Sequence, residues 1–332
     1  PLSVETILPI MLRKHTICYY GRKFTSTRWP NISPSSSYYN FIYHLFYFLM
    51  AQKEDSCTVG IVTFNPDAIR LKANIDNILK NTTKTNIVVA DNGSKNIDEI
   101  KNIIASNPQI LLLPLNENKG IAFALNRIFE KAIEQHHDWV LTLDQDSVAQ
   151  PNLIDVLMSY KQKQGVGILC PRIEDRNMGR QYATNTYSVD DIEMCVTSGN
   201  LVNVESWKSV QGYNESLFID GVDFDFCIKL RAKGYKILRL NSVYILHEVG
   251  HGHLIHIFGR NLAMNHSHIR LYYIVRNYLY LGKQYQQKRK WISEVAKRMF
   301  IVTCFEHNRL KKWKYMLKGV IDFKKNRFGK IR

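Results

Sequence analysis

Asp144 and Asp146 flank a single glutamine directly after the apolar run 139–143. Two carboxylates two positions apart in a turn are the hard oxygen donors that Mg²⁺ or Mn²⁺ takes, with substrate phosphates completing the shell. Three more acids, Asp220, Asp223 and Asp225, stand in FIDGVDFDFCIKLRAKGY at the start of an expected helix, among Phe218, Ile219, Val222, Phe224 and Phe226. Apolar surroundings raise a carboxylate's pKa and turn it into a usable general base. At a helix N-terminus the same acids also complement the macrodipole. One of the three is expected to work as a base, and residue types alone leave open which. Asp91 closes another apolar run and begins Asp91-Asn92-Gly93-Ser94. That pattern suits an Asx turn, a hydrogen bond to a nucleobase or ribose, or both at once. His247 to His251 spells HExxH, which holds zinc only when the segment is helical. The strand-forming run 243–245 before it and the glycines at 250 and 252 disfavour a helix. His247 is therefore expected at a strand end, reaching a metal or phosphate or serving the structure.

Groups so far apart in the chain need a scaffold that brings them to one edge. From residue 58 short apolar runs alternate with amphipathic ones. Strands are predicted over 58–64, 86–90, 110–113 and 139–143, and helices over 66–80, around 100–104, over 121–135 and over 153–162. Continuous apolar strands joined by helices imply a doubly wound, mostly parallel sheet covered on both faces. Ligands of such sheets sit beyond the carboxyl ends of the strands, and there the sequence reads Thr63-Phe64-Asn65-Pro66, Asp91-Asn92-Gly93-Ser94 and Asp144-Gln145-Asp146. Carboxylates, amides and hydroxyls at that edge suit a nucleotide and a cation. Further on, 166–171 and 196–202 are predicted strands, 172–194 an irregular loop, and 205–210 and 222–233 helices. Strands over 236–240 and 243–246 precede helices over 268–285 and from 291 onward.

The chain of 332 residues is 45% hydrophobic and 22% charged, a globular composition that excludes collagen-like and disordered classes. A net charge of +16 suggests a nucleic-acid-binding protein until it is located. Residues 283–332 carry 16 Lys and Arg against Glu294, Glu306 and Asp322, whereas 50–282 are close to neutral. The basicity thus belongs to a tail, which fits a module docking on an anionic surface and disfavours nucleic acid. Apolar residues from Trp291 to Ile321 interleave with those bases, as in an interfacial segment; a solvated helical appendage is the plainer reading. The six cysteines lack any CxxC spacing, which suits a reducing, cytosolic compartment. The apolar stretch 41–51 is too short to span a bilayer, for which roughly 20 residues are needed. Residues 1–55 read as an N-terminal appendage, with Met50 as an expected natural start, 56–265 as the catalytic domain and 266–332 as a helical, basic, membrane-associating region.

In chain order VTFNP, VVADNGS, Asn118-x-Gly120, LDQD, TSGN, FIDGVDFDFCIKLRAKGY and RNYLYL resemble the family 2 glycosyltransferases of GT-A fold. Within them the set looks most like the bacterial rhamnosyltransferases of polysaccharide and O-antigen assembly. The resemblance covers about residues 59–281. It implies inverting transfer of a sugar, L-rhamnose from dTDP-L-rhamnose, onto a hydroxyl of a lipid-linked glycan, with a UDP-hexose as the alternative donor. It implies a Rossmann-like α/β sheet flanked by helices, carrying the C-terminal extension, in a cytoplasmic enzyme held peripherally on the inner face of the membrane. It also implies Thr63, Asn65 and Asp91 at the nucleotide, Asp144 near the ribose, and Asp146 with His247 at a divalent cation. Arg276 would face the diphosphate, Gly199, Asn200 and Asp220 the acceptor. Asp223 falls where the family has its catalytic base, with Val222 replacing the acid that precedes it there.

Overall fold

Strands that are apolar on both sides must be covered on both sides. The protein, described here from a computed structural model, meets that demand with helices. The structure describes residues 57–81, 85–105, 107–175, 188–247, 254–257, 260–263 and 265–332, together with two short paired strands, β1 (Ile17–Tyr19) and β2 (Arg22–Phe24). Of His247 and the strands at 254–257 and 260–263 only the backbone is described. The chain divides into two compact units, Pro1–Glu54 and Asp55–Arg332. The rest of the predicted N-terminal appendage lies outside the described residues, as does the remainder of the HExxH segment after His247.

In the larger unit, β3 (Thr58–Thr63), β4 (Asn86–Asp91), β5 (Ile110–Pro114) and β6 (Trp139–Asp144) run parallel in the order β5-β4-β3-β6. Beyond β6 the sheet continues through β10 (Asn200–Asn203), β8 (Val166–Asp175), β11 (Lys236–His247) and β7 (Val148–Ala149). β10 is antiparallel to both neighbours, β11 is parallel to β8, and β9 (Val189–Asp191) pairs antiparallel with β11. A separate hairpin pairs β12 (Leu254–Ile257) with β13 (Arg260–Ala263). The sheet is therefore mixed α/β and mostly parallel, as expected.

Alternate residues of each strand feed opposite layers. Val59, Ile61, Ile87, Val89, Leu141 and Leu143 pack with α1 (Ala68–Asn81), α2 (Ile97–Ile104) and α4 (Leu153–Met158). Val88, Ala90 and Val140 pack with α3 (Ile121–Glu134), α5 (Val204–Ser209) and α6 (Val222–Ala232) on the other face. Residues 266–332 are part of the same unit. Leu271 and Val275 of α7 (His268–Gln284), Val295 and Val302 of α8 (Lys288–Phe305) and Met316 of α9 (Arg309–Lys324) share one core. Gly319 lets α9 approach α7 closely, since a Cβ there would lie 2.7 Å from the carbonyl oxygen of Tyr272.

Three local expectations change. The two strands predicted over 236–240 and 243–246 are one, β11, whose pairing with β8 shifts register between Lys236 and Ile237 and again between Leu240 and Tyr244. Of the run predicted as strand over 196–202 only the part from Asn200, in β10, is strand, because residues 197–199 bend into a turn, with Gly199 at φ 87°. The stretch read as irregular over 172–194 contains the end of β8 and all of β9, both extended by pairing with β11.

Candidate active site

The parallel register makes the site. Thr63 pairs with Asp91 across β3 and β4, and Val62 with Asp144 across β3 and β6, so the three polar loops begin level at one edge. The Thr63 hydroxyl donates to Asp91 Oδ1 at 3.1 Å, while Oδ2 accepts from the backbone N–H groups of Gly93 (3.2 Å) and Ser94 (3.0 Å). Asp91 thus closes an Asx turn and is buried with Thr63. Asn65, in the left-handed region at φ 47°, accepts from the N–H of Lys95 through its side chain (2.8 Å) and donates its own N–H to Ser94 Oγ (2.8 Å). The first two loops are in this way clamped together.

Gln145, between the two acids of the third loop, accepts from the N–H of Phe64 at 2.9 Å and ties that loop to the first. Ser198 Oγ accepts from the N–H of Asp144 (3.0 Å) and bonds Ser147 Oγ (2.8 Å). Gln145 and Ser198 were missed by reading motifs, although the serine of TSGN was visible beside the glycine. Asp144 and Asp146 are half-buried. Their oxygen chemistry fits Mg²⁺ or Mn²⁺. Among the described residues no group of three His, Cys, Asp or Glu side chains is gathered that could hold a metal ion. His247 ends β11 in extended backbone, so the first residue of the HExxH sequence is not helical.

The acids of the FIDG loop separate into three roles. Asp225 is 1% exposed, accepts from the Tyr285 hydroxyl at 2.7 Å and pairs with Lys229 at 3.4 Å. It therefore pins α6 to the end of α7 and is no base. Tyr285→Phe leaves one buried oxygen of Asp225 without its donor and is expected to cost about 1–3 kcal/mol; urea unfolding would show this, with activity per folded molecule unchanged. Asp220 receives the Arg270 Nε–H on Oδ1 at 2.9 Å, while its Oδ2 is buried without a hydrogen-bond partner. Burial raises its pKa against the opposing pull of Arg270. Asp223, at the first turn of α6, is half-buried. Loss of water pushes its carboxyl up to about 7, the N–H of Phe224 opposes that rise, and the negative charges of Asp220 and Asp144 add to it. Asp223 and Asp144, far apart in sequence, thus face each other electrostatically across the edge.

The backbone of this loop is unusual. Phe218, Asp220 and Gly221 all have positive φ, at 68°, 60° and 82°. Gly120, at φ 95°, lets the Asn118-x-Gly120 turn approach it, and the N–H of Ile121 donates to the carbonyl of Phe218 at 2.7 Å. From α7, Asn277 Nδ2 donates to the carbonyls of Leu217 (2.9 Å), Ile219 (2.8 Å) and Asp220 (2.7 Å).

Arg276 overturns an expectation. It is 0% exposed, and its guanidinium donates to the carbonyls of Leu217 (2.9 Å) and Gly329 (2.7 Å) and to Asn277 Oδ1 (2.9 Å). Its plane lies over Tyr272, Tyr273 and Phe328. Arg276 does not face a diphosphate; it fastens the FIDG loop and the chain's final turn to α7. Asn200 is likewise buried, donating to Cys195 Sγ at 3.1 Å, and supports β10 rather than lining an open surface. Gly199, at φ 87°, turns the chain into β10 with its N–H on the Thr142 carbonyl (2.7 Å).

Residues 58–221 match the family model described as glycosyl transferase family 2. The dTDP-rhamnosyl transferase RfbF of Shigella flexneri is 27% identical over 277 residues, spanning 79% of this chain and 92% of that protein. Among solved structures, the mannosyltransferase PcManGT from Pyrobaculum calidifontis, in complex with GDP-Man and Mn²⁺, has a TM-score of 0.54 at 12% identity, over 86% of this chain and 94% of that one. S. aureus TarS 1–349 in complex with UDP-GlcNAc gives 0.53 at 15% identity, over 81% of each chain. Both likenesses are of fold.

Proposed function

We propose, from the match of residues 58–221 to the glycosyl transferase family 2 model, that the protein moves L-rhamnose from dTDP-L-rhamnose onto a hydroxyl of a lipid-linked glycan, with inversion, during cell-surface polysaccharide (O-antigen) assembly. The observation that carries this reading is Asp223, a carboxyl held near neutrality at the edge where Asp144 and Asp146 stand. The rhamnosyl donor is supported by the relative from Shigella flexneri.

Inversion takes a single displacement. Asp223, ionised, accepts the proton of the acceptor hydroxyl as that oxygen attacks the anomeric carbon, and the bond to the diphosphate breaks on the opposite side. Thr63, Asn65 and Asp91 shape the nucleoside end, and Asp144 lies toward the ribose. Asp146, with His247, would hold Mg²⁺ or Mn²⁺, which when bound supplies charge neutralisation to the leaving diphosphate. Asp220, with its unpartnered oxygen, and Gly199 lie on the acceptor side. The enzyme works at the cytoplasmic face of the membrane, held there peripherally through residues 266–332.

Calorimetric titration with dTDP-rhamnose, UDP-glucose and UDP-N-acetylglucosamine, with and without Mn²⁺, tests the donor. Metal-dependent preference for dTDP-rhamnose is expected. Preference for a UDP-sugar would discard the rhamnosyl assignment and favour a UDP-hexose enzyme, a reading suggested by the fold's likeness to a protein solved with UDP-GlcNAc. Asp146→Ala is expected to weaken donor binding at least about tenfold with Mn²⁺, and to change it little when the metal is chelated.

A further inference from the structure

Helix α9 buries Lys312, Met316, Gly319 and Asp322 against its neighbours. Directly opposite, at intervals of four, three and four residues, run Leu310, Lys314, Leu317 and Ile321, the line that points furthest into solvent. The three aliphatic residues on it are 89%, 50% and 49% exposed. Lys311, Lys318, Lys324 and Lys325 border the line, and Ile292 and Phe300 of α8 are exposed as well. Single exposed apolar residues are ordinary. An outward apolar line edged by lysines reverses the pattern of a helix meant to face water, and is that of a helix lying in a lipid interface.

A cavity of about 550 Å³ adjoins this face, with Lys318 belonging to both. Tyr272, Asp322, Arg327, Phe328 and Lys330 also line it. Its one acidic side chain, Asp322, accepts from the Tyr272 hydroxyl at 2.8 Å and lies 3.9 Å from Arg327, and Lys318 donates to the Arg332 carbonyl; with four basic residues to one acidic, the lining is cationic. The charge of residues 283–332, 16 basic against three acidic, complements an anionic bilayer. Among the described residues no helix is long and apolar enough to cross a membrane.

We propose that the outward face of α9 docks on an anionic bilayer, with Leu310, Leu317 and Ile321 entering the headgroup region and the cavity beside Lys318 receiving a lipid phosphate. The inference rests on the reading of the protein as a peripheral enzyme and specifies the surface that reading needs.

The full-length protein is sedimented with vesicles of phosphatidylcholine alone or with about 30% phosphatidylglycerol. Wild type is expected on the anionic vesicles, released by salt, and not on the neutral ones. The triple variant L310S/L317S/I321S should lose at least about tenfold in partitioning, and Arg327→Gln with Lys330→Gln several-fold. Donor binding, measured on the same samples, should remain at the wild-type level and report folding. Leu310→Gln alone, at the most exposed position, supplies an independent arm if the triple variant misfolds, and should weaken partitioning about threefold. Wild-type partitioning by the apolar variants would overturn the proposed face while leaving peripheral attachment standing. No vesicle binding by wild type would overturn both, while the transferase reading would still be judged by donor binding. Wild-type partitioning by the Arg327→Gln, Lys330→Gln variant would overturn the lipid phosphate as occupant of the cavity.

Discussion

Asp223→Asn is expected to lower transfer by about 10²–10⁴-fold, the usual contribution of a positioned base, while donor affinity is retained and thermal stability rises. The rise in stability follows from the same burial that makes the group a base. Its folded pKa is about 7 against an ordinary 3.8. A carboxyl raised in this way contributes stability that is complete below its unfolded pKa and is lost as pH climbs through the folded one. Above pH 7 the ionised side chain is therefore a destabilising charge facing Asp220 and Asp144, on the order of a few kcal/mol, and the amide relieves it. Melting curves of the two proteins should coincide near pH 4 and diverge toward pH 8, the variant melting higher. The wild-type kcat/KM should climb through about pH 7 and level off. Near-normal turnover by the variant would remove Asp223 from the mechanism, and equal melting at pH 8 would contradict the buried charge.

Replacing Arg276 is expected to be the most damaging substitution for the fold around the site. Arg276→Leu leaves the carbonyl of Gly329 and Oδ1 of Asn277 without their donors, leaves the carbonyl of Leu217 to Asn277, and removes the cation stacked among Tyr272, Tyr273 and Phe328. Each orphaned acceptor costs about 1–3 kcal/mol, and the loss of the stack about 1–2, so a drop of about 3–8 kcal/mol in denaturant unfolding is expected. Activity should fall further than stability alone predicts. Phe218 and Asp220 sit in the left-handed region at a cost of order 1–3 kcal/mol each, and they stay there because α7 over-determines the loop. Arg276→Lys should rescue little, since an ammonium on a flexible stem cannot fork to two carbonyls and stack as well. Wild-type unfolding for Arg276→Leu would show that the loop is held by Asn277 alone.

These two residues also mark how far the sequence could be read. The βα alternation up to β6 was plain, because strands covered on both faces are apolar at every position and helices covered on one face are not. The polar loops could then be placed on one edge by topology. β9 was not legible, since three residues with two acids have no strand signature until β11 lies beside them. Asp223 and Asp225 have nearly the same local sequence, and Tyr285, sixty residues later, together with Lys229 one turn on, distinguishes the carboxyl that is tied down. Arg276 was misassigned for a similar reason. A cationic side chain is expected to meet an anion, whereas here backbone carbonyls at helix ends and in a strained loop supply the acceptors. The signal that could have revealed this is the Arg276-Asn277 pair on a helix otherwise rich in Tyr, Leu, Ile and Val, where two adjacent polar residues must reach buried partners.

The bond from Arg276 to the carbonyl of Gly329, with the reciprocal bond from the Gly329 N–H to the carbonyl of Ser216 at 2.7 Å, has a consequence for the order in which the molecule is made. A ribosome delivers the sheet, the carboxylates and the FIDG loop long before it delivers residue 329. A nascent chain can complete both hydrophobic layers and still lack the clasp that fixes the acid loop, so the loop is set only once residue 329 has been made. Nonsense mutations or proteolytic trimming just upstream of Gly329 would then yield a folded sheet with an unset acid loop. The proposed attachment to the membrane and the proposed chemistry therefore cannot be separated by cutting this segment, only by altering its outer surface.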